Sequence, residues 1–162
     1  MKKLILLIGI PGSGKTTLAQ KLVEKNFKRI CADDIRGELF GDAIIQGDSS
    51  QVFGIFFERL EKLLAEGADI VVDNTNLNSK QRQPILERAT AAGYTDVQLW
   101  LLDVPLAVCL KRNAGRDRVV PEDIVTNYHN ELNRIRPKRS EGKLVILRPN
   151  KEGTELLFFA QS

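Results

Sequence analysis

Gly9-Ile10-Pro11-Gly12-Ser13-Gly14-Lys15-Thr16, placed directly after the wholly apolar run Leu4 to Ile8, leaves few folds open to this chain. An apolar run without polar alternation reads as a central strand of a parallel sheet, covered on both faces. The helix expected from Lys15 to about Lys25 buries Leu18 and Leu22 at helical spacing. Strand, Gly-rich turn and helix match the pattern G-x-x-x-x-G-K-[ST], whose glycines let backbone N–H groups converge on phosphate oxygens beside the positive end of the helix dipole. The residues expected to hold a nucleotide are therefore Gly9, Pro11, Gly12, Ser13, Gly14, Lys15, Thr16 and Thr17. Lys15 is expected to reach the terminal phosphates of ATP and the Thr16 hydroxyl to ligate the Mg²⁺ that bridges them, while Pro11 stiffens the turn.

The rest of the chain continues the alternation. Arg29 to Ala32 reads as a second strand, and Val52, Ile55, Phe56, Phe57, Leu60, Leu63 and Leu64 place an apolar face on a helix ending before Gly67. Ile70 to Val72 is a further buried strand. Asn78 or Ser79 caps a helix running to near Gly93, with Pro84 blurring its first turn. Val97 to Leu102 is the fourth strand, Pro105 and Pro121 suit two helix starts, and the second helix carries Ile124, Val125, Tyr128, Leu132 and Ile135. Leu144 to Leu147 completes the sheet. Parallel neighbours need long crossovers, so the expected class is α/β: a three-layer, P-loop NTPase-like, mainly parallel sheet with helices on both faces and a small lid. The 162 residues, 43% hydrophobic, fit a single domain over 1–162. The tail from Gly153 to Ser162 either packs on the core or extends a sheet edge.

No stretch approaches the roughly 20 apolar residues of a membrane span, and Met1 to Ile10 has no signal-cleavage pattern; a soluble, cytoplasmic protein without a membrane partner is expected. Cys31 and Cys109 lack metal-type spacing and read as reduced thiols. The net charge of +3 permits a phosphate-rich partner without requiring one. Basic residues outnumber acidic ones between Lys111 and Arg148, as a solvated surface or as one facing a polyanion. His129 is expected to pack or face solvent, and Trp100 to be core. No spacing selects Tyr94, Tyr128 or a phenylalanine for base stacking.

Kinases, GTPases and ATP-driven machines share the phosphate loop, so other residues must choose the reaction. Asn150-Lys151-Glu152-Gly153 lacks the carboxylate of a guanine-reading Asn-Lys-x-Asp stretch, and ring ATPases need a longer domain. Ile70-Val71-Val72-Asp73 is an apolar strand ending in a carboxylate, suited to a place beside the metal, through metal-bound water, or to a cap or turn. In Asp33-Asp34-Ile35-Arg36, Asp33 is expected to accept the proton of an attacking hydroxyl, Asp34 to cap the next helix, and Arg36 to hold an anionic acceptor. Arg112-Asn113-Ala114-Gly115-Arg116-Asp117-Arg118 joins two helices as a lid over approximately 112–120. Arg112 and Arg116 are expected on the β- and γ-phosphates, and Arg118 either joins them or pairs with a carboxylate such as Asp117.

Taken with Asn74-Thr75-Asn76-Leu77-Asn78, Asp103-Val104-Pro105 and Val120-Pro121, these pieces resemble the 5′-kinase domain of polynucleotide kinases of the T4-type phage and bacterial end-healing kind, over nearly the whole chain. The resemblance implies Asp33 as general base for a 5′-hydroxyl, Arg36 on the acceptor's phosphate and Arg116 as lid clamp. The family commonly has a carboxylate before the Thr-Asn pair, where this chain has Asn74 and carries Asp73 one place earlier; Asn74 and Thr75 remain acceptor-contacting candidates. Val71-x-Asp73-x-Thr75 lacks the first Asp of a phosphatase motif, so no 3′-phosphatase is expected. The function implied is ATP- and Mg²⁺-dependent phosphorylation of the 5′-hydroxyl end of DNA or RNA. The alternatives are a small-molecule hydroxyl acceptor or a non-catalytic ATP-binding module, against which Asp33 and the lid arginines argue. The lack of aromatic residues near Asp33 in the sequence is consistent with Arg36 anchoring a phosphate.

Overall fold

The amino-terminal apolar run forms β1 (Lys3–Ile8) in the computed structural model, which describes residues 2–41, 49–117, 119–152 and 156–161, the last of these as backbone only. Successive strand residues point to opposite faces, and Leu4 to Ile8 are all at most 2% exposed, so both faces of this strand are covered. β1 pairs in parallel with β3 (Ile70–Val72) and with β4 (Asp96–Leu102). β2 (Lys28–Ile30) adds in parallel to β3, and β5 (Lys143–Pro149) in parallel to β4. With β6 (Leu156–Gln161) the sheet runs β2-β3-β1-β4-β5-β6. The mainly parallel α/β fold expected from the alternation is therefore present.

The crossovers are α1 (Lys15–Val23), α2 (Ala32–Phe40), α3 (Ser49–Ala65), α4 (Ser79–Ala91), α5 (Leu106–Ala114) and α6 (Glu122–Arg134), with a short 3₁₀ turn at Arg139–Glu141 before β5. Asn78 settles the α4 cap, its side chain accepting from Gln81 N–H at 3.0 Å. Pro84 lies inside α4, so the helix starts ahead of it. No helix among the described residues is long and apolar enough to cross a membrane.

Several expectations need correction. The second strand stops at Ile30, because Cys31 already takes the N-cap position and Ala32 is the first helical residue of α2. The tail, open between core packing and edge extension, runs antiparallel along β5, pairing Leu144 with Gln161 through Pro149 with Leu156. Ile135 follows the last turn of α6 and is 60% exposed. Trp100 is only partly buried and donates from Nε1 to Gln98 Oε1 at 2.9 Å, two residues along the same strand face.

One buried charge crosses the layers. Arg82 of α4 is 1% exposed and donates from Nε to Glu141 Oε1 at 2.8 Å and from Nη1 to the Asn76 carbonyl at 2.9 Å. Asn76, at φ 49°, donates in turn to the Leu7 carbonyl at 2.8 Å. Removing one member of a buried ion pair leaves the other charged and unpaired. Glu141→Ala is therefore expected to cost about 3 kcal/mol in urea denaturation. Arg82→Met should cost less, because the Glu141 side chain, 19% exposed, can turn to water. The reverse order of unfolding midpoints would show that the guanidinium is not the costly partner.

Candidate active site

The loop between β1 and α1 is shaped by contact from behind. Gly12 has φ 86°, and a Cβ there would collide with the carbonyl oxygen of Cys109 on α5. Only glycine takes both that conformation and that approach without cost. Gly14, at φ 100°, caps α1 without a side-chain bond, and the first turn of the helix carries no acidic residue. The leading N–H groups of α1 thus meet no carboxylate from their own turn, as suits an anion. Ser13 is fully buried, and among the described residues its Oγ is the buried side-chain polar atom without a partner. Lys15 donates from Nζ to the Ile10 carbonyl at 3.2 Å. Burial pushes its ammonium below the usual lysine range; Asp73 and Asp33 pull it back, and Arg116 pushes it further down. A buried cation beside a second cation and an open helix start form a donor set that phosphate completes.

Asp73 follows β3, where its N–H donates to the Ile30 carbonyl at 2.9 Å. Its carboxylate is 3% exposed, and Oδ2 accepts from Arg29 Nε at 2.9 Å and Nη2 at 2.8 Å. Next to it, Asn74 Oδ1 accepts from the Ala32 N–H at 2.9 Å, so this side chain ties down the start of α2. The Thr75 carbonyl accepts from Gly9 N–H at 3.1 Å. No group of three His, Cys, Asp or Glu side chains is gathered among the described residues. A Mg²⁺ ion here would draw on one carboxylate, a hydroxyl and phosphate oxygens, a set that ion accepts.

Asp33 and Asp34 both lie in the first turn of α2, whose N-cap is Cys31 without a side-chain bond. Asp34 is thus not the cap; it forms an ion pair with Arg29 instead. Asp33 Oδ1 accepts from Arg36 Nη1 at 2.8 Å, one turn on. The Arg36 guanidinium stands 5.8 Å from the centroid of the Phe53 ring. Phe53 and Phe57 line the same cleft as Asp33, so aromatic rings absent beside it in the sequence are brought near it by the fold. They are some twenty residues away in sequence and arrive through α3, which packs on α2; the helical pattern that showed α3 to be apolar did not show which ring faces the site.

The segment expected to form a lid begins inside a helix, not in a loop. Arg112 and Asn113 form the last turn of α5, and Asn113, 1% exposed, donates to the Val120 carbonyl at 2.6 Å and accepts from the Val120 N–H at 3.1 Å. This two-point clasp closes the segment carrying Arg116. It was not foreseen, because a polar residue near a helix end reads as surface. Arg118 lies outside the described residues. Asp103, after β4, is raised by burial but held below the usual carboxylate range by Arg136 at 2.6 Å and Arg148 at 3.1 Å. Two members of the basic run therefore serve a structural pairing.

These parts meet in one cleft of about 1130 Å³. That exceeds the roughly 300–1,000 Å³ of a pocket for one small ligand, leaving room for donor and acceptor together. Pro11, Gly12, Gly14, Lys15, Thr16 and Thr17 line it with Asp33, Arg36, Asp73, Asn74, Thr75, Arg112 and Arg116; Gly9 and Ser13 do not. Tyr128 reaches it from α6, whereas Tyr94 is buried and donates to the Ala68 carbonyl at 2.6 Å. His129 is outside the lining, with Nε2 3.0 Å from Asn133 Nδ2 on its own helix. Cys31 and Cys109 are both buried free thiols, each pushed up to about 11 mainly by burial, so neither is a thiolate at neutral pH.

Most of this chain is similar to known proteins. A protein of Autographa californica nuclear polyhedrosis virus named as a bifunctional polynucleotide kinase/RNA ligase is 34% identical across 74% of this chain and 19% of its own length. The L-seryl-tRNA(Sec) kinase of Methanococcus maripaludis is 25% identical across 80% of this chain and 52% of its own. The chain thus spans between a fifth and about half of these curated relatives. A chain of the Pnkp1/Rnl/Hen1 RNA repair complex shares the fold with a TM-score of 0.72 at 20% identity, over 99% of this chain and 48% of that one. The family described as AAA domain matches residues 4–136, the stretch that contains Gly9 to Thr16, Asp33, Asp73, Arg112 and Arg116. The chain belongs to that AAA domain family, and the resemblance to polynucleotide kinase domains legible in its motifs is borne out.

Proposed function

We propose that this chain transfers the γ-phosphoryl group of ATP to the 5′-hydroxyl end of a polynucleotide. The observation that carries the reading is the placement of Asp33. It is joined to Arg36 at 2.8 Å and lies near enough to Lys15 to act on that ammonium, in one cleft sized for two substrates. A carboxylate facing the phosphate end serves phosphoryl transfer to a hydroxyl, whereas a module that only senses ATP has no use for it.

In this reading the loop N–H groups, Lys15, Arg112 and Arg116 hold the β- and γ-phosphates. Thr16 and Asp73 hold Mg²⁺, which when bound neutralises charge on the phosphate oxygens. The acceptor oxygen forms its bond to the γ-phosphorus as the bond to the β,γ-bridging oxygen breaks. Asp33 takes the hydroxyl proton, and ADP leaves. Arg36 anchors the acceptor's own phosphate, beside the aromatic wall of Phe53 and Phe57. That wall supports a base-bearing acceptor over a plain sugar or hydroxy acid.

The test is transfer of labelled phosphate from ATP to a 5′-hydroxyl oligonucleotide, with glucose and free nucleosides as parallel acceptors. Labelling of the oligonucleotide alone is the expected result. Labelling confined to a small alcohol would replace the polynucleotide reading, and ATP binding without ADP release on any acceptor would end the catalytic one.

A further inference from the structure

Arg29 has no part in the scheme above, yet it joins Asp73, on which that scheme relies, to Asp34, the neighbour of Asp33. It lies on β2 opposite Val71, so its side chain runs alongside the end of β3. Nε and Nη2 both meet Asp73 Oδ2, and Nη1 meets Asp34 Oδ2. The Arg29 side chain is 17% exposed and that of Asp73 3% exposed, so the contact is not a solvent-screened surface pair.

Two charged donors on a single oxygen pin that oxygen, so the carboxylate can turn only about it. For Asp73 that matters, because it is the charged group acting most strongly on Lys15. The third nitrogen reaches the first turn of α2, one residue from Asp33. A second thread, from the Ala32 N–H to Asn74 Oδ1, joins the same two segments. The start of α2 is thereby tied twice to the end of β3, and the charged tie is Arg29.

We propose that Arg29 is a positioning residue that sets the Asp73 carboxylate and, through Asp34, the helix turn displaying Asp33, so that one guanidinium aligns the donor-side and acceptor-side carboxylates. This rests on the proposed roles of Asp33 and Asp73. A lysine keeps the charge but not the planar fork, so it cannot reproduce the double contact on one oxygen.

The experiment uses the whole chain and three variants, Arg29→Met, Arg29→Lys and Asp34→Ala. Binding of a non-hydrolysable ATP analogue is measured by calorimetry across a Mg²⁺ titration, and oligonucleotide transfer is measured as kcat and KM. Arg29→Met is expected to raise the Mg²⁺ midpoint about tenfold or more, as loss of a group orienting a metal ligand does. Asp34→Ala, which removes only the acceptor of the arm to α2, should leave that midpoint within about twofold and lower kcat about tenfold with KM for ATP unchanged. Arg29→Lys should fall between parent and methionine variant in midpoint; if the methionine variant does not fold, the lysine variant alone decides. A Mg²⁺ midpoint unmoved by either Arg29 substitution, or full kcat in Asp34→Ala, overturns the proposal. The midpoint needs no acceptor. If the parent chain labels no polynucleotide, the functional reading fails while the midpoint still decides whether Arg29 sets Asp73.

Discussion

Arg116→Ala is expected to lower turnover by roughly 10³-fold or more, the loss associated with an arginine supplied to a phosphoryl-transfer transition state. The structural ground is the repulsion between Arg116 and Lys15, two cations facing one cleft. A phosphate between the two cations adds to the offset that Asp73 and Asp33 already give Lys15, and the gain is greatest where negative charge spreads during transfer. Removing Arg116 also removes a destabilising influence on Lys15 in the empty site, so thermal unfolding should stay level or rise. That separates lost chemistry from lost fold. Arg116→Lys restores the charge without the fork and should recover only part of the rate. Turnover in the alanine variant within tenfold of the parent would remove Arg116 from the clamp.

Asp33→Asn should lower transfer by about 10²–10⁴-fold, the range for loss of a positioned general base. The amide oxygen can still accept from Arg36, so the first turn of α2 should keep its shape. ATP affinity, read by calorimetry, should change little, because the strongest charged partner of Lys15 is Asp73 rather than Asp33. Unchanged transfer rates with bound ATP would mean that another group takes the proton.

What the sequence disclosed follows from how local each signal is. β1, the phosphate loop and α1 are contiguous, and their identity rests on backbone conformation and apolar runs that short stretches encode. The strands at Ile70 and Val97 were legible for the same reason. Element ends were less so: Ala32 has strand-like neighbours, but the N–H acceptor that lets a helix start there is Asn74, forty-two residues on. Asp34 looked like a cap because its partner, Arg29, precedes it on another element and only the turn of the chain brings them together. Phe53 and Phe57 came to the site on a helix whose apolar face was visible but whose rotation was not. Asn113 gives the clearest case, since a buried amide clasp on Val120 leaves no mark in composition or spacing.

The contact of Gly12 with the Cys109 carbonyl means that the loop after β1 and the helix bearing Arg112 touch backbone to backbone, without an intervening side chain. A side chain added at position 12 would therefore press on the peptide of α5 itself, and would displace that helix or the loop before it reached anything held in the cleft.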